Sequence, residues 1–196
     1  MKLLFVSDTH GSMRAWKDIE KNFKLDEFDG IFHLGDVLYH GPRNPIPDEY
    51  DPKELAERLK NFNINYIRGN CDADVDLKVL GVEEMPKISM EYFGDFSFLL
   101  VHGEIFEEND VKKFLKDKNV HFLIHGHTHI AKIEEMNGQY VINPGSTTLP
   151  KGNTPRSVMV MEVNEEHLHV KFYNLDSGQV YIEKIWTLKG SKLSME

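Results

Sequence analysis

Five times within its first 129 residues this chain ends a short apolar run in a polar signature, and that repetition limits the fold more than any other feature. KLLFVSDTHG stops at Asp8 and His10, GIFHLGDV at Asp36, INYIRGNCD at Asn70, FSFLLVHGE at His102, and HFLIHGHTH at His127 and His129. Short apolar runs bounded by glycine are what strands look like when a sheet is covered on both faces. Helical patterns lie between them. Ser12 can cap a helix running to about Phe23, Asp51 and Pro52 open a second in DPKELAERLKNF, and ENDVKKFLKDKN forms a third over 108–119. Strand and helix in alternation predict an α/β arrangement with largely parallel strands over this part.

Toward the C-terminus the pattern changes. QYVINPGS, RSVMVMEVN, HLHVKFYNL and QVYIEKIW alternate apolar with polar residues, and Asn137-Gly138 is a hairpin turn leading into the first of them. This predicts an antiparallel set, hence a mixed sheet or a second sheet. The 196 residues suit a single domain, 1–196, around one continuous core. One long irregular stretch, LYHGPRNPIPDEYDP, follows Asp36 directly; loops of that length are usually functional or disordered.

The polar signatures bring seven side chains to the C-terminal ends of strands: two aspartates, one asparagine and four histidines. In open α/β sheets ligands bind at that edge. A mixed oxygen and nitrogen donor set suits a divalent transition metal such as Mn, Fe, Co, Ni or Zn. Seven donors are too many for one tetrahedral ion and suit two ions sharing a carboxylate. Gly35, Gly69, Gly103 and Gly126 stand beside these residues, where a missing Cβ lets the backbone turn tightly.

Composition excludes other classes. The formal net charge of −9 argues against a protein that grips nucleic-acid backbone with a basic surface. No apolar run approaches the roughly 18–20 residues that cross a bilayer. The four apolar residues Leu3 to Val6 before Asp8 read as a buried first strand rather than a signal peptide. A single cysteine, Cys71, rules out an internal disulfide and suits the reducing cytoplasm.

In their order along the chain, DTH, GDV, GNCD, HGE and GHTH resemble the signatures of the calcineurin-like metallophosphoesterases, and NPGS at Asn143 to Ser146 extends the match. LGDVLYHGPRN, with GNCD and NPGSTTLPKG, is most similar to the bacterial YfcE-type phosphodiesterases of that superfamily. The resemblance implies a four-layer α/β/β/α sandwich of two mixed sheets flanked by helices. It assigns Asp8, His10 and His129 to one divalent metal and Asn70, His102 and His127 to a second, with Asp36 bridging both. Manganese is the first expectation, with Ni, Co, Zn, Fe and Mg as alternatives. The implied reaction is phosphodiester hydrolysis by a hydroxide bridging two ions roughly 3.5–4 Å apart, with Asp36 and Asn70 as catalytic ligands. Two divalent ions against two aspartates and a hydroxide leave about one positive charge, which attracts a phosphate despite the acidic surface.

A phosphomonoesterase or nucleotidase of the same family is the alternative; a scaffold that has lost its metals is disfavoured, because every ligand position is filled. The expected partner is a small phosphoester, with homo-oligomers common among relatives. Many relatives carry histidine where this chain has Cys71, so leaving groups that need little protonation are expected here. His40 and Arg43 in the loop after Asp36 are candidates to protonate a leaving oxygen and to clamp a phosphate oxygen. His125 matches no ligand position and reads as a partly buried structural histidine, and His33, His121, His167 and His169 read as structural or surface residues.

Overall fold

The computed structural model describes residues 1–106, 110–116, 118–190 and 192–195. In chain order its first part holds β1 (Lys2–Val6), α1 (Met13–Asn22), β2 (Gly30–His33), α2 (Pro52–Leu59), β3 (Ile64–Tyr66), α3 (Asp74–Leu80), β4 (Ile88–Phe93), β5 (Phe96–Val101) and α4 (Asp110–Lys116). It continues with β6 (Phe122–Ile124), β7 (Lys132–Met136), β8 (Gln139–Asn143), β9 (Ser157–Val163), β10 (His167–Asn174), β11 (Val180–Lys189) and β12 (Lys192–Met195). Both sheets are mixed: one of order β12-β11-β10-β9-β1-β2-β3, the other β4-β5-β6-β8-β7. The parallel strands are β1, β2 and β3 in the first and β5, β6 and β8 in the second.

Alternation along each strand decides which layer its side chains join. Leu3 and Phe5 of β1 share the core between the sheets with Phe98, Leu100, Phe122 and Ile142. The intervening Leu4 and Val6 face the other way and pack with Trp16 and Ile19 of α1 and Leu55 and Leu59 of α2. On the far side Leu115 of α4 joins Leu99, Val101, Leu123 and Val141. Helices, sheet, sheet and helix therefore stack as four layers, each fully buried Leu or Phe contributing about 1.5–3 kcal/mol. The helix starts follow from their caps: Ser12 Oγ accepts from the Ala15 N–H at 3.2 Å, and Asp51 Oδ1 from the Glu54 N–H at 2.9 Å. The loop after Asp36 folds back onto the start of α1, where Ser12 Oγ donates to the Asp48 carbonyl at 2.7 Å and Met13 N–H to that of Glu49 at 3.0 Å.

Three features depart from the pattern expected of the sequence. β4 and β5 form an antiparallel hairpin inside the part expected to be parallel, with Phe93 opposite Phe96. β4 was hidden because its exposed positions, Ile88, Met90 and Tyr92, are the apolar ones while Ser89 and Glu91 are half-buried. α3 has only Leu80 buried, so it carries no amphipathic signal. β8 pairs with β7 through the Asn137-Gly138 turn, but its other edge is parallel to β6. It belongs to the second sheet rather than to the C-terminal antiparallel set. The helix expected over 108–119 is observed as α4; positions 108, 109 and 117 lie outside the described residues. Among the described residues no helix is long and apolar enough to cross a membrane.

Candidate metal centre

The C-terminal ends of β1, β2, β3, β5 and β6 converge at one edge, and the turns leaving them hold the polar residues. Asp8, His10, Asp36, His127 and His129 all adopt left-handed backbone, with φ of 55°, 46°, 56°, 65° and 61°. Non-glycine residues rarely do so, Asp and His more readily than most, and such strain gathers at functional sites. Here it falls in the turns that bring Asp8, His10 and His129 together.

Neighbouring turns hold one another. The carbonyls of Gly35, Asp36 and Val37 accept from the N–H groups of Asp8, His10 and Gly11 at 3.1, 2.9 and 2.8 Å. The N–H groups of the same three residues go to buried side chains: Gly35 to His33 Nδ1 at 3.2 Å, Asp36 and Val37 to the Asp72 carboxylate at 2.9 and 2.8 Å. Asp72 also accepts the Gly69 N–H at 2.7 Å. Gly35 must be glycine, since a Cβ on its φ +98° backbone would lie 2.6 Å from the Gly69 nitrogen.

Three imidazoles have their tautomer fixed. His10 Nδ1 faces the Tyr39 carbonyl at 2.8 Å, His129 Nδ1 that of Leu149 at 2.7 Å, and His102 Nδ1 that of Leu34 at 2.7 Å. A carbonyl only accepts, so each Nδ1 carries the hydrogen and each Nε2 offers a lone pair. Yet Nε2 of His10 and Nε2 of His129 face each other at 3.2 Å. Asp8 Oδ1 lies 3.3 Å from the latter, and His102 Nε2 lies 3.4 Å from Asp36 Oδ1. Asp8 Oδ1 and His102 Nε2 are both buried without a hydrogen-bond partner. Lone pairs and carboxylates this close repel unless a cation stands among them. The donor set therefore fits divalent metal ions, in the groups Asp8–His10–His129 and Asp8–Asp36–His102.

The protonation pattern agrees. Burial opposes charge on His102, but the adjacent Asp36 and Asp8 carboxylates outweigh it and lift its pKa to about 9. A proton is what this pocket takes when no other cation is offered. Burial would raise both aspartates, yet the surrounding imidazoles hold Asp8 and Asp36 below the usual carboxylate range. Burial and the Asp36 charge push the Cys71 thiol up to about 12.

The remaining candidates are placed unevenly. The His127 ring stacks edge-on against His102 at 5.2 Å, and the His127 backbone N–H donates to Asp8 Oδ2 at 3.2 Å. Asn70 is exposed, its amide 3.3 Å from Cys71 Sγ. Arg43, Asn70, Cys71, His127 and His129 line one cleft of about 430 Å³ above Asp36. His40 is not among the residues lining that cleft; its ring packs against Tyr39 and Tyr50 at 4.8 and 5.2 Å. His125 donates from Nδ1 to the Gly126 carbonyl at 3.0 Å and, held by burial at about 4, stays neutral. His33 is structural, as its strand position predicts, and Thr9, Asp72 and Lys151 join it without a role that the sequence assigns. The first two bond to each other at 2.9 Å and Lys151 lines the cleft; the signals were the positions of Thr9 inside DTH, Asp72 inside GNCD and Lys151 inside NPGSTTLPKG.

Two mixed sheets with a cation-binding carboxylate and histidine cluster at their shared strand-end edge define a class of metal-dependent hydrolases acting on phosphoester bonds. Residues 1–166 match the calcineurin-like phosphoesterase superfamily domain, and the chain belongs to that superfamily. It is 35% identical over 164 residues to the phosphodiesterase YfcE of Escherichia coli K12, covering 83% of this chain and 88% of that one. A solved E. coli YfcE structure, described as a phosphoesterase, superposes with a TM-score of 0.80 at 30% identity, covering 93% of this chain and 98% of that chain. Vps29 of Chaetomium thermophilum shares the fold, with a TM-score of 0.70 at 15% identity over 96% of each chain.

Proposed function

We propose that this chain, as one catalytic domain, is a two-metal phosphodiesterase that hydrolyses a small, activated phosphodiester. Asp8, His10 and His129 hold one divalent ion, Asn70, His102 and His127 hold the second, and Asp36 is shared. Manganese is the first choice, and the cytoplasm the expected location. The observation that carries the reading is the pair of Nε2 lone pairs facing each other at 3.2 Å beside the unpartnered Asp8 oxygen. When bound, the ions polarise the phosphoryl oxygens and bring the deprotonation of water close to neutral pH.

The chain's own residues do the rest. Backbone carbonyls at Tyr39, Leu149 and Leu34 orient the three imidazoles, and Asp72 and His33 fix the turn that aims Asp36. Arg43 reaches a non-bridging phosphate oxygen from the cleft wall. Cys71 remains a neutral thiol beside the site, so it supplies neither a thiolate nucleophile nor a cationic proton donor. Leaving groups that need no protonation should therefore be preferred, which favours activated diesters over simple monoesters. Identity to YfcE, named a phosphodiesterase, supports the same choice.

The test is metal analysis of the purified protein together with turnover of bis(p-nitrophenyl) phosphate after chelation and add-back of Mn, Ni, Co, Zn or Mg. Two bound ions, lost activity on chelation and recovery with manganese are expected; turnover indifferent to chelation overturns the mechanism. Cys71→His should shift preference toward monoesters, and an unchanged diester-to-monoester ratio removes the role given to Cys71.

A further inference from the structure

The cleft over the metal cluster is lined by two cations, Arg43 and Lys151, and by a single carboxylate, Asp36. That composition runs against a chain of net charge −9. Several cations elsewhere are paired, among them Lys17 with Glu49 at 2.8 Å, Arg58 with Glu20 at 2.8 Å, and Arg156 with both Asp18 and Asp176. Among the described residues neither Arg43 nor Lys151 has an acidic partner within 4.0 Å.

Lys151 is also anchored. Its N–H donates to the His129 carbonyl at 2.9 Å, and its own carbonyl accepts from Thr154 N–H at 3.2 Å and Thr154 Oγ1 at 2.8 Å. The backbone is thus tied to the turn that carries His129, while the side chain is exposed and free to reach a ligand. A lysine fixed at its root and unpaired at its tip, on the wall of an anion-binding cleft, is built to meet negative charge.

A diester monoanion leaves that charge unanswered. Two divalent ions against Asp8 and Asp36, with Arg43 beside them, already exceed the single negative charge of a scissile diester. We infer that Lys151 forms a second anion subsite that selects phosphodiesters carrying an additional phosphate group. The inference rests on the phosphodiesterase reading above and narrows its substrate class.

The manganese-loaded enzyme can be offered thymidine 5′-(p-nitrophenyl phosphate) and the same ester bearing a 3′-phosphate, with calorimetric binding of thymidine 3′,5′-bisphosphate measured alongside. The expected result is a kcat/KM about tenfold higher for the 3′-phosphorylated ester, corresponding to about 1.4 kcal/mol. In Lys151→Gln that ratio should collapse to about one and bisphosphate affinity should fall about tenfold, while Lys151→Arg should keep most of both. Equal kcat/KM for the two esters in the wild type, or a preference that survives in Lys151→Gln, overturns the subsite. If neither ester is hydrolysed but bisphosphate binding still depends on Lys151, the subsite stands and the phosphodiesterase reading falls. If binding is indifferent to Lys151, the subsite falls whatever the activity.

Discussion

The two sides of the candidate metal centre are built differently. Asp8, His10 and His129 are essentially solvent-free, at 0%, 0% and 2% exposure, with both imidazoles locked by carbonyls and all three residues in left-handed turns. On the other side His102 is as deeply held, but His127 is half-buried and Asn70 is exposed with its amide turned toward Cys71. The first side is held in place by the protein alone, whereas on the second the Asn70 amide faces Cys71 and, in the proposed assignment, must turn inward to serve as a ligand. Preorganisation of this kind is worth affinity, because the ordering is already done. The two proposed metal positions should therefore differ in strength.

In the proposed assignment Asp36 is shared by the two sides, so its loss should break the comparison altogether. Asp36→Ala should lower bis(p-nitrophenyl) phosphate turnover by about 10³-fold or more, with circular dichroism confirming that the chain still folds; near-normal turnover would remove the shared-carboxylate role. Asp72 touches no proposed ligand side chain but accepts the N–H groups that set the Asp36 turn. Supporting groups of this sort typically cost about 10–100-fold in metal affinity when removed. Asp72→Ala should fall in that range, with Asp72→Asn milder because one oxygen remains to accept; manganese affinities read by calorimetry would show it.

Titration of the metal-free protein with manganese should resolve two steps separated by about tenfold, or about 1.4 kcal/mol. His129→Ala should abolish the tighter step and Asn70→Ala the weaker one. A single step of two equivalents, or the reverse assignment, would show that the difference in burial does not govern affinity.

The smallest effect concerns the support beneath the site. Burial holds His33 at about 3, well below the ordinary histidine value of 6.5, so it is neutral in the folded protein and binds a proton only on unfolding. Its contribution is present above pH 6.5 and is lost as the pH falls toward 3, by about 1.4 kcal/mol per pH unit per proton. His125, held at about 4, adds a second such group. Replacing His33 with Gln, which can still donate and accept, should reduce the acid slope of unfolding free energy in chelator by one proton between about pH 6 and 4.5. A slope equal to wild type would mean that His33 already titrates in the folded state.

Much of the site was legible because each candidate ligand stands at the end of an apolar run, and a strand's end is visible in one dimension. Asp8, Asp36, His102 and His129 needed only that rule and a donor chemistry to be grouped. The support was not legible. His33 reads as one more strand residue until Gly35 N–H and Thr9 Oγ1 are seen on its two nitrogens. Lys151 lies 22 positions beyond His129 and reaches the cleft only because its backbone hydrogen-bonds to that residue's carbonyl. Among the strands, β4 is hard to read because its apolar residues face outward, and the sheet that β8 joins is unreadable because alternation says nothing about which neighbour a strand will choose.

The left-handed turns have a consequence for descent. They are imposed by the surrounding backbone, with hydrogen bonds that make no use of a metal. A lineage relieved of catalysis would keep the loop shapes while losing the reason for aspartate or histidine within them. Drift toward glycine or asparagine at positions 8, 10, 36, 127 and 129, under an unaltered chain trace, would be the fossil of a lost enzyme.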